Sequence, residues 1–346
     1  GGDDRLGSRG GGEIFRIDSH RPKRWSSPAE VWVNGRLGHA RQWSFSRVEN
    51  ISGDGNEIRL VHGEETGAGV DKLHPPEFFF ENVFEELDEP HEYFIDAARG
   101  LLFFLPPPNF PGWASGARLS WSKEPILQIK GGRHIELSGL RVEGTRVEGI
   151  VVVDALNVLL EDLVVRQCGG DGVVLGGRDI RVKGLVAEDL GGRGMLLRGG
   201  DPVNLKTSGN TVSGSRFVAT GWWNPARYPA LELIGVGHQV RDCIFSDLSH
   251  MAVEVKGNDF LVEGCWFHRT GTNLRGMGSI YFKLGAQPHM RGTVIRGNLF
   301  QDIGLGKGGS GGAICLDDGT MGVRIIDNVF HRVGAGNSGW TVVNRG

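Results

Sequence analysis

The side chains with most chemical reach in this sequence are carboxylates that recur late in the chain. Ala313–Ile314–Cys315–Leu316–Asp317–Asp318–Gly319 is a short apolar run that ends in two adjacent carboxylates and a glycine. Two earlier runs of the same build, Ala230–Leu231–Glu232–Leu233 and Ala252–Val253–Glu254–Val255, carry Glu232 and Glu254, and Tyr281, Lys256 and Lys283 occupy related places. Paired carboxyl groups roughly 5–10 Å apart, one protonated and one acting as nucleophile or base, are what cleavage of a glycosidic bond requires. Asp317 is therefore the first candidate catalytic carboxylate, with Glu254 or Glu232 as the second. Asp318 is a candidate substrate contact and is equally suited to capping the turn at Gly319. Tyr281, Trp222 and Trp223 offer rings on which a sugar can stack.

The same residues admit other chemistry. Lys256 or Lys283 with a lowered pKa could abstract a proton from a uronic acid whose carboxylate is neutralised by Arg275 or Arg291, which is lyase chemistry. The charges can also be read as a salt-bridged ladder on a protein that binds glycans or serves a structural role without turnover. His250, His268, His289 and His331 are scattered, and the latter group's His268 and His331 each follow a phenylalanine that points inward, which suits structure. No His, Cys and carboxylate set has metal-ligand spacing, so no metal is expected, and no cofactor is implied. A calcium ion on Asp317 and Asp318 is conceivable but has no pattern behind it. The glycine run 304–312 lacks the Lys-Ser/Thr ending and following helix of a phosphate-binding loop.

The elements that must position these groups are the copies of a repeat over residues 121–346. Each copy has an apolar, alternating segment ending in a pivot, at positions 139, 162, 184, 214, 242, 264, 297 and 327. The pivots are spaced by about 22 residues, lengthened by insertions, which is the signature of a parallel β-helix. A second strand opens on a small residue in every copy, from Gly149–Ile150–Val151–Val152 to Ala313–Ile314–Cys315–Leu316. Its middle residue points outward and reads Val151, Val174, Leu196, Glu232, Glu254, Tyr281, Cys315. Two residues further the same face reads Val153, Gly176, Arg198, Ile234, Lys256, Lys283, Asp317. Adjacent coils lie about 4.8 Å apart, so Glu232 and Glu254 are expected to be neighbours. Asn298 and Asn328 should form a ladder along the axis, and Phe245, Phe267, Phe300 and Phe330 should stack inside.

Residues 14–120 read as a small antiparallel β module. Strands are expected at Val31–Trp32–Val33, ending in an Asn34–Gly35 turn, and at 58–61 and 78–83, with a hairpin over 92–105 and a helical turn within 84–88. Trp25, Trp32, Trp43 and Trp113 are assigned to packing rather than to sugar binding, and Glu85–Glu86 with Asp88–Glu89 to a solvated turn. In composition, 57 glycines stand out, roughly 16% against a usual 7%; they fall between β-branched segments and mark tight turns. A net charge of −3 gives no reason to expect nucleic acid or an anionic membrane as partner. No stretch of about 20 apolar residues occurs. Four cysteines without CxxC spacing read as buried free thiols.

Three pieces of the chain resemble right-handed β-helix proteins of glycoside hydrolase families 120 and 141. They are Glu81–Asn82–Val83–Phe84–Glu85–Glu86–Leu87–Asp88–Glu89–Pro90–His91–Glu92, then His250–Met251–Ala252 with Gly257–Asn258–Asp259, and Gly312–Ala313–Ile314–Cys315–Leu316–Asp317–Asp318–Gly319–Thr320, which is similar to GAIYLDDGT. The resemblance runs from about residue 24 to the end. It implies an all-β fold, a right-handed parallel β-helix (solenoid) with a small N-terminal β-sandwich-like module, and it places a catalytic carboxylate at Asp317. The chain departs from those relatives in one coil. Gly276 stands where they carry an aspartate, Lys283–Leu284–Gly285–Ala286–Gln287–Pro288 replaces their GRDW piece, and Val342 and Val343 stand where one branch has a glutamate. The usual partner of Asp317 is thus missing, which leaves Glu254 or Glu232 to act as the second carboxylate.

The resulting expectation is a carbohydrate-active protein, a hydrolase of a plant- or algal-type polysaccharide or its oligosaccharides, secreted or periplasmic in a bacterium. The chain starts without methionine and stops in mid-pattern, so it reads as a fragment; its oligomeric state is left open.

Overall fold

A computed structural model describes residues 14–37, 43–61, 77–112, 118–226, 228–273, 275–283, 290–305, 310–318, 320–334 and 339–345, the side chains of Arg275 and Ser310 excepted. The pivots of the repeat explain its spacing. Gly139, Asp162, Gly184, Gly214, Asp242, Gly264, Gly297 and Asp327 all have φ between 52 and 65°. That left-handed conformation is cheap for glycine and tolerable for aspartate, whose short side chain can bond locally. Each pivot turns the chain from one strand into the next, so the sequence period is the spacing of a corner.

Between corners the strands pair only with their counterparts in the coils before and after, and all these pairings are parallel. One series runs Arg216–Thr220, Ile244–Leu248, Trp266–Thr270, Leu299–Ile303, Val329–Val333. A second runs Met195–Gly199, Leu231–Val236, Val253–Asn258, Arg275–Phe282, Ser310–Asp317, Trp340–Arg345. A third runs Thr211–Ser213, Gln239–Arg241, Leu261–Glu263, Val294–Arg296, Arg324–Ile326. In the two early strands Ile150–Glu161 and Val173–Lys183 the second and third series are continuous, so together they make one 15-stranded sheet beside an eight-stranded one. This is a parallel β-helix.

Its interior is filled by stacked equivalents. Phe217, Phe245, Phe267, Phe300 and Phe330 form one column with ring centroids 4.6 to 5.1 Å apart and planes within 12°. Ile150, Val173, Met195, Leu231, Val253, Ile280 and Ile314 form another, each fully buried. The asparagine ladder is present: Asn298 Nδ2 donates to Asn328 Oδ1 at 2.9 Å, and Asn298 Oδ1 accepts from the Cys265 N–H at 2.8 Å. The four cysteines are buried free thiols. No α-helix occurs among the described residues, and no helix there is long and apolar enough to cross a membrane.

The chain divides into two compact units at Arg118/Leu119. The first contains a five-stranded antiparallel sheet and the two-stranded hairpin Tyr93–Asp96/Leu101–Phe104. Asn82 ties them together, donating to the carbonyls of Glu30 and Ile95. Two expectations fail here. Asn34–Gly35 is not a turn but lies inside strand Trp32–Arg36, paired on both sides, because a Cβ at Gly35 would fall 2.3 Å from the Glu77 carbonyl and only glycine permits that approach. Glu86 is withdrawn from solvent, accepting from Trp25 Nε1 at 3.0 Å and pairing with Arg21, whereas Glu85, Asp88 and Glu89 are exposed as expected, Glu85 accepting from the Ser26 N–H at 2.8 Å. Trp25 packs edge-on to Phe80 and Trp32 stacks on Phe45, as expected of packing residues, whereas Trp113 lies outside the described residues.

Asn298→Ala removes an amide that is 1% exposed, leaves the Cys265 N–H without its partner and takes away the side-chain bond to Asn328 and the one to the Val262 carbonyl. A loss of about 2–3 kcal/mol is expected from that substitution, read as a lower urea midpoint; an unchanged midpoint would mean the ladder adds nothing.

Candidate active site

Strand register places the candidate residues directly. Leu196, Glu232, Glu254, Tyr281, Cys315 and Val343 are paired in sequence across six strands, one outward position per coil. Glu232 and Glu254 are therefore neighbours, as expected. Lys256, two residues beyond Glu254, joins them: its Nζ donates to Glu232 Oε1 at 2.6 Å and to Glu254 Oε2 at 2.9 Å.

This face is less open than an outward register suggests. Glu232 and Glu254 are only 6% and 5% exposed. Residues of the preceding corners lean over the strands. Arg193 reaches Glu232 Oε2 at 2.8 Å, and its own N–H bonds Asp171 Oδ1 at 2.8 Å. Further along, Met251, Tyr281 and Cys315 form a buried cluster outside the sheet with Met277, Trp340 and Val343 against it. The product is an alternating line of charge, Asp171, Arg193, Glu232, Lys256, Glu254, with three carboxylates to two cations. Neither Arg193 nor Asp171 is singled out by the sequence pattern. A signal exists nonetheless, since Asp171–Gly172 and Arg193–Gly194 are the same corner in consecutive coils.

The electrostatics of the line follow from its burial. Desolvation raises the Glu254 pKa above the ordinary carboxylate value, and Lys256 reverses only part of that rise. Asp171 is raised in the same way, with Arg193 opposing. Burial would lower the Lys256 pKa, but hydrogen bonds to Glu232 and Glu254 outweigh it and the net shift is upward. That is opposite to what a lysine base needs. His250 is buried with both ring nitrogens unpartnered, and burial takes its pKa down to about 4, so it is neutral at physiological pH. His268 faces Asp302 at 3.4 Å and stacks on Trp266, in keeping with a structural role, and His289 lies outside the described residues.

Asp317 is in a different setting, partly exposed at the end of strand Ser310–Asp317. Tyr281 Oη donates to its Oδ2 at 2.7 Å, the Asp318 N–H donates to its Oδ1 at 3.0 Å, and Thr320 closes the turn on its carbonyl. Desolvation first, then the bond to Asp317, pushes the Tyr281 phenol well above its usual pKa, so it stays a donor. Tyr281 thus holds Asp317 rather than lying free for a sugar. Asp318 is exposed, in the left-handed conformation at φ 53°. Lys283 is exposed next to Lys256, and the Arg275 side chain lies outside the described residues. Trp222 and Trp223 remain 58% and 42% exposed. Their N–H groups bond the carbonyls of Leu190 and Gly191, so their loop is seated on the corner that carries Arg193. Among the described residues no group of His, Cys, Asp and Glu is arranged to hold a metal ion.

No family model and no curated protein matches the chain. Among solved structures it is similar to a glycoside hydrolase, with a TM-score of 0.62 and 12% identity, covering 92% of this chain and 71% of that one. It also aligns with the tailspike gp61 of Pseudomonas phage phi297, with a TM-score of 0.32 and 11% identity, covering 96% of this chain and 57% of that one. At such identities the first likeness shows a shared fold.

Lys256→Met leaves two buried carboxylates facing each other, so a loss of about 3 kcal/mol in unfolding free energy is expected; a neutral result would show the line to be well solvated. Glu254 gives a pH signature. Its folded pKa is raised, so its proton-linked stability is present at acid pH and lost as pH rises through the folded value. Glu254→Gln is therefore expected to gain stability relative to wild type as pH rises above the ordinary glutamate value of about 4.3, measured by urea unfolding; a difference that does not vary with pH would show the pKa to be ordinary.

Proposed function

We propose that the protein is carbohydrate-active, a glycoside hydrolase acting on a plant- or algal-type polysaccharide or its oligosaccharides, in the secreted or periplasmic setting where such polymers are met. One observation carries this reading: a buried carboxyl whose pKa is raised, Glu254, shares an outward face with a partly exposed, hydrogen-bonded carboxylate, Asp317. A carboxyl that burial makes easier to protonate is suited to the acid role beside a second, accessible carboxyl.

Glu254 supplies the proton to the glycosidic oxygen as the bond to the anomeric carbon breaks. Asp317 takes a proton from the water that attacks that carbon, with Tyr281 and the Asp318 N–H fixing its orientation. Lys256 and Asp317 occupy matching places two coils apart, about 10 Å at the backbone. Tyr281, in the coil between, holds Asp317 by its Oδ2, and an inverting reaction asks for carboxyl groups about 6.5–9.5 Å apart, with room for a water. Glu232 has one cation on each oxygen and serves to hold Lys256 and Arg193. The likeness to a glycoside hydrolase supports the fold this chemistry would stand on, and the GAIYLDDGT-like stretch of families 120 and 141 supports Asp317.

A second reading, glycan binding without turnover, is favoured by the 5% exposure of Glu254. A digest of xylan, arabinan, polygalacturonate, alginate and carrageenan separates the two. New reducing ends are expected from wild type without ultraviolet absorbance, falling at least about 100-fold in Asp317→Asn. Absorbance would mark elimination instead, and silence on every polymer, or an unimpaired variant, would overturn the hydrolase.

A further inference from the structure

An exposed aromatic surface lies away from the carboxylates. Trp222 and Trp223 sit on the corner of the coil that contains Met195–Gly199, and the Trp223 ring packs so close to Gly191 that a Cβ there would lie 2.2 Å from its Nε1. The loop is pinned at several points. The Gly221, Trp222 and Trp223 N–H groups bond carbonyls of Leu190, Gly191 and Gly192, and Tyr228 lies under the Arg193 guanidinium at 5.6 Å. It is a built platform with its ordering cost met by the fold, which is what a weak stacking contact needs in order to add affinity.

Asp317 stands on the coil of Ser310–Asp317, four coils further along. At about 4.8 Å per coil that is roughly 19 Å, longer than one sugar ring can bridge. The register between them is covered at Glu232, Glu254 and Tyr281, so an oligosaccharide would lie over these residues, with Lys256 and Lys283 the accessible side chains.

We infer that the tryptophan loop is a remote subsite for the far end of an extended oligosaccharide that runs along the helix axis to Asp317, so that the substrate is a chain of several sugars rather than a disaccharide. This rests on the hydrolase reading for the cleaved end, but platform binding is measurable without cleavage. Trp222 is mostly solvent-exposed, so its truncation should not disturb folding.

The test uses the five polymers above in two assays. In affinity electrophoresis at least one polymer should retard wild type, with retardation lost in Trp222→Ala and restored in Trp222→Phe. For the retarding polymer, cleavage of its dimer-to-hexamer series should rise in kcat/KM with chain length, and Trp222→Ala should lose about tenfold on the hexamer with a smaller loss on shorter chains, as expected for one aromatic stacking contact. Absence of retardation by every polymer, unchanged retardation of Trp222→Ala, or losses equal at all chain lengths would overturn the inference. Retardation that depends on Trp222 with no cleavage would uphold the platform and refute the hydrolase.

Discussion

Everything in the second unit depends on coils stacking in register at about 4.8 Å. Such stacking repeats each position along the axis, so a residue type tolerated once is tested against itself in the next coil. Phenylalanines satisfy the rule by parallel stacking, asparagines by passing amide hydrogen bonds upward, and pivots by a conformation open to glycine and aspartate. Like charges at that spacing repel, so where Glu232 and Glu254 do repeat in adjacent coils a cation is set against each: Lys256 bridges the two, and Arg193 lies between Glu232 and Asp171. Beyond Glu254 the face continues with Lys283 and, paired in register with Asp317, Arg345.

The proposed chemistry begins at Glu254, whose pKa burial raises despite Lys256. Two coils on, the strand ends and the chain turns through Asp318, so Asp317 is lifted out of the covered part of the face into partial exposure. One strand series thus carries a buried carboxyl with a raised pKa and a partly exposed one.

Much of the helix was legible in the sequence for the same reason: repetition multiplies a weak signal. Gly264 or Asp327 alone means little, but eight pivots at related spacing mark a corner, and the outward position of Glu232, Glu254 and Tyr281 follows by counting. What sequence could not show is what leans across the face. Arg193 and Met251 belong to corners, where no period governs direction, so the burial of Glu232 and Glu254 and the bond from Tyr281 to Asp317 needed coordinates. The first module, which has no repeat, was read less well. Asn34–Gly35 carries the strongest local turn signal in the chain and is nonetheless mid-strand, because the close approach of strand Glu77–Glu81 needs a glycine there.

The claim on which the rest turns is that Asp317 and Glu254 act across one bond from two coils apart. The direct measurement is the anomeric configuration of the first-formed product, followed by proton NMR before mutarotation. Inversion is expected, since two coils of about 4.8 Å separate the strands that carry the carboxyl groups, nearer the inverting than the retaining spacing. Retention would contradict it, because it requires carboxyl groups only about 5–5.5 Å apart, and would point instead to the adjacent pair Glu232 and Glu254.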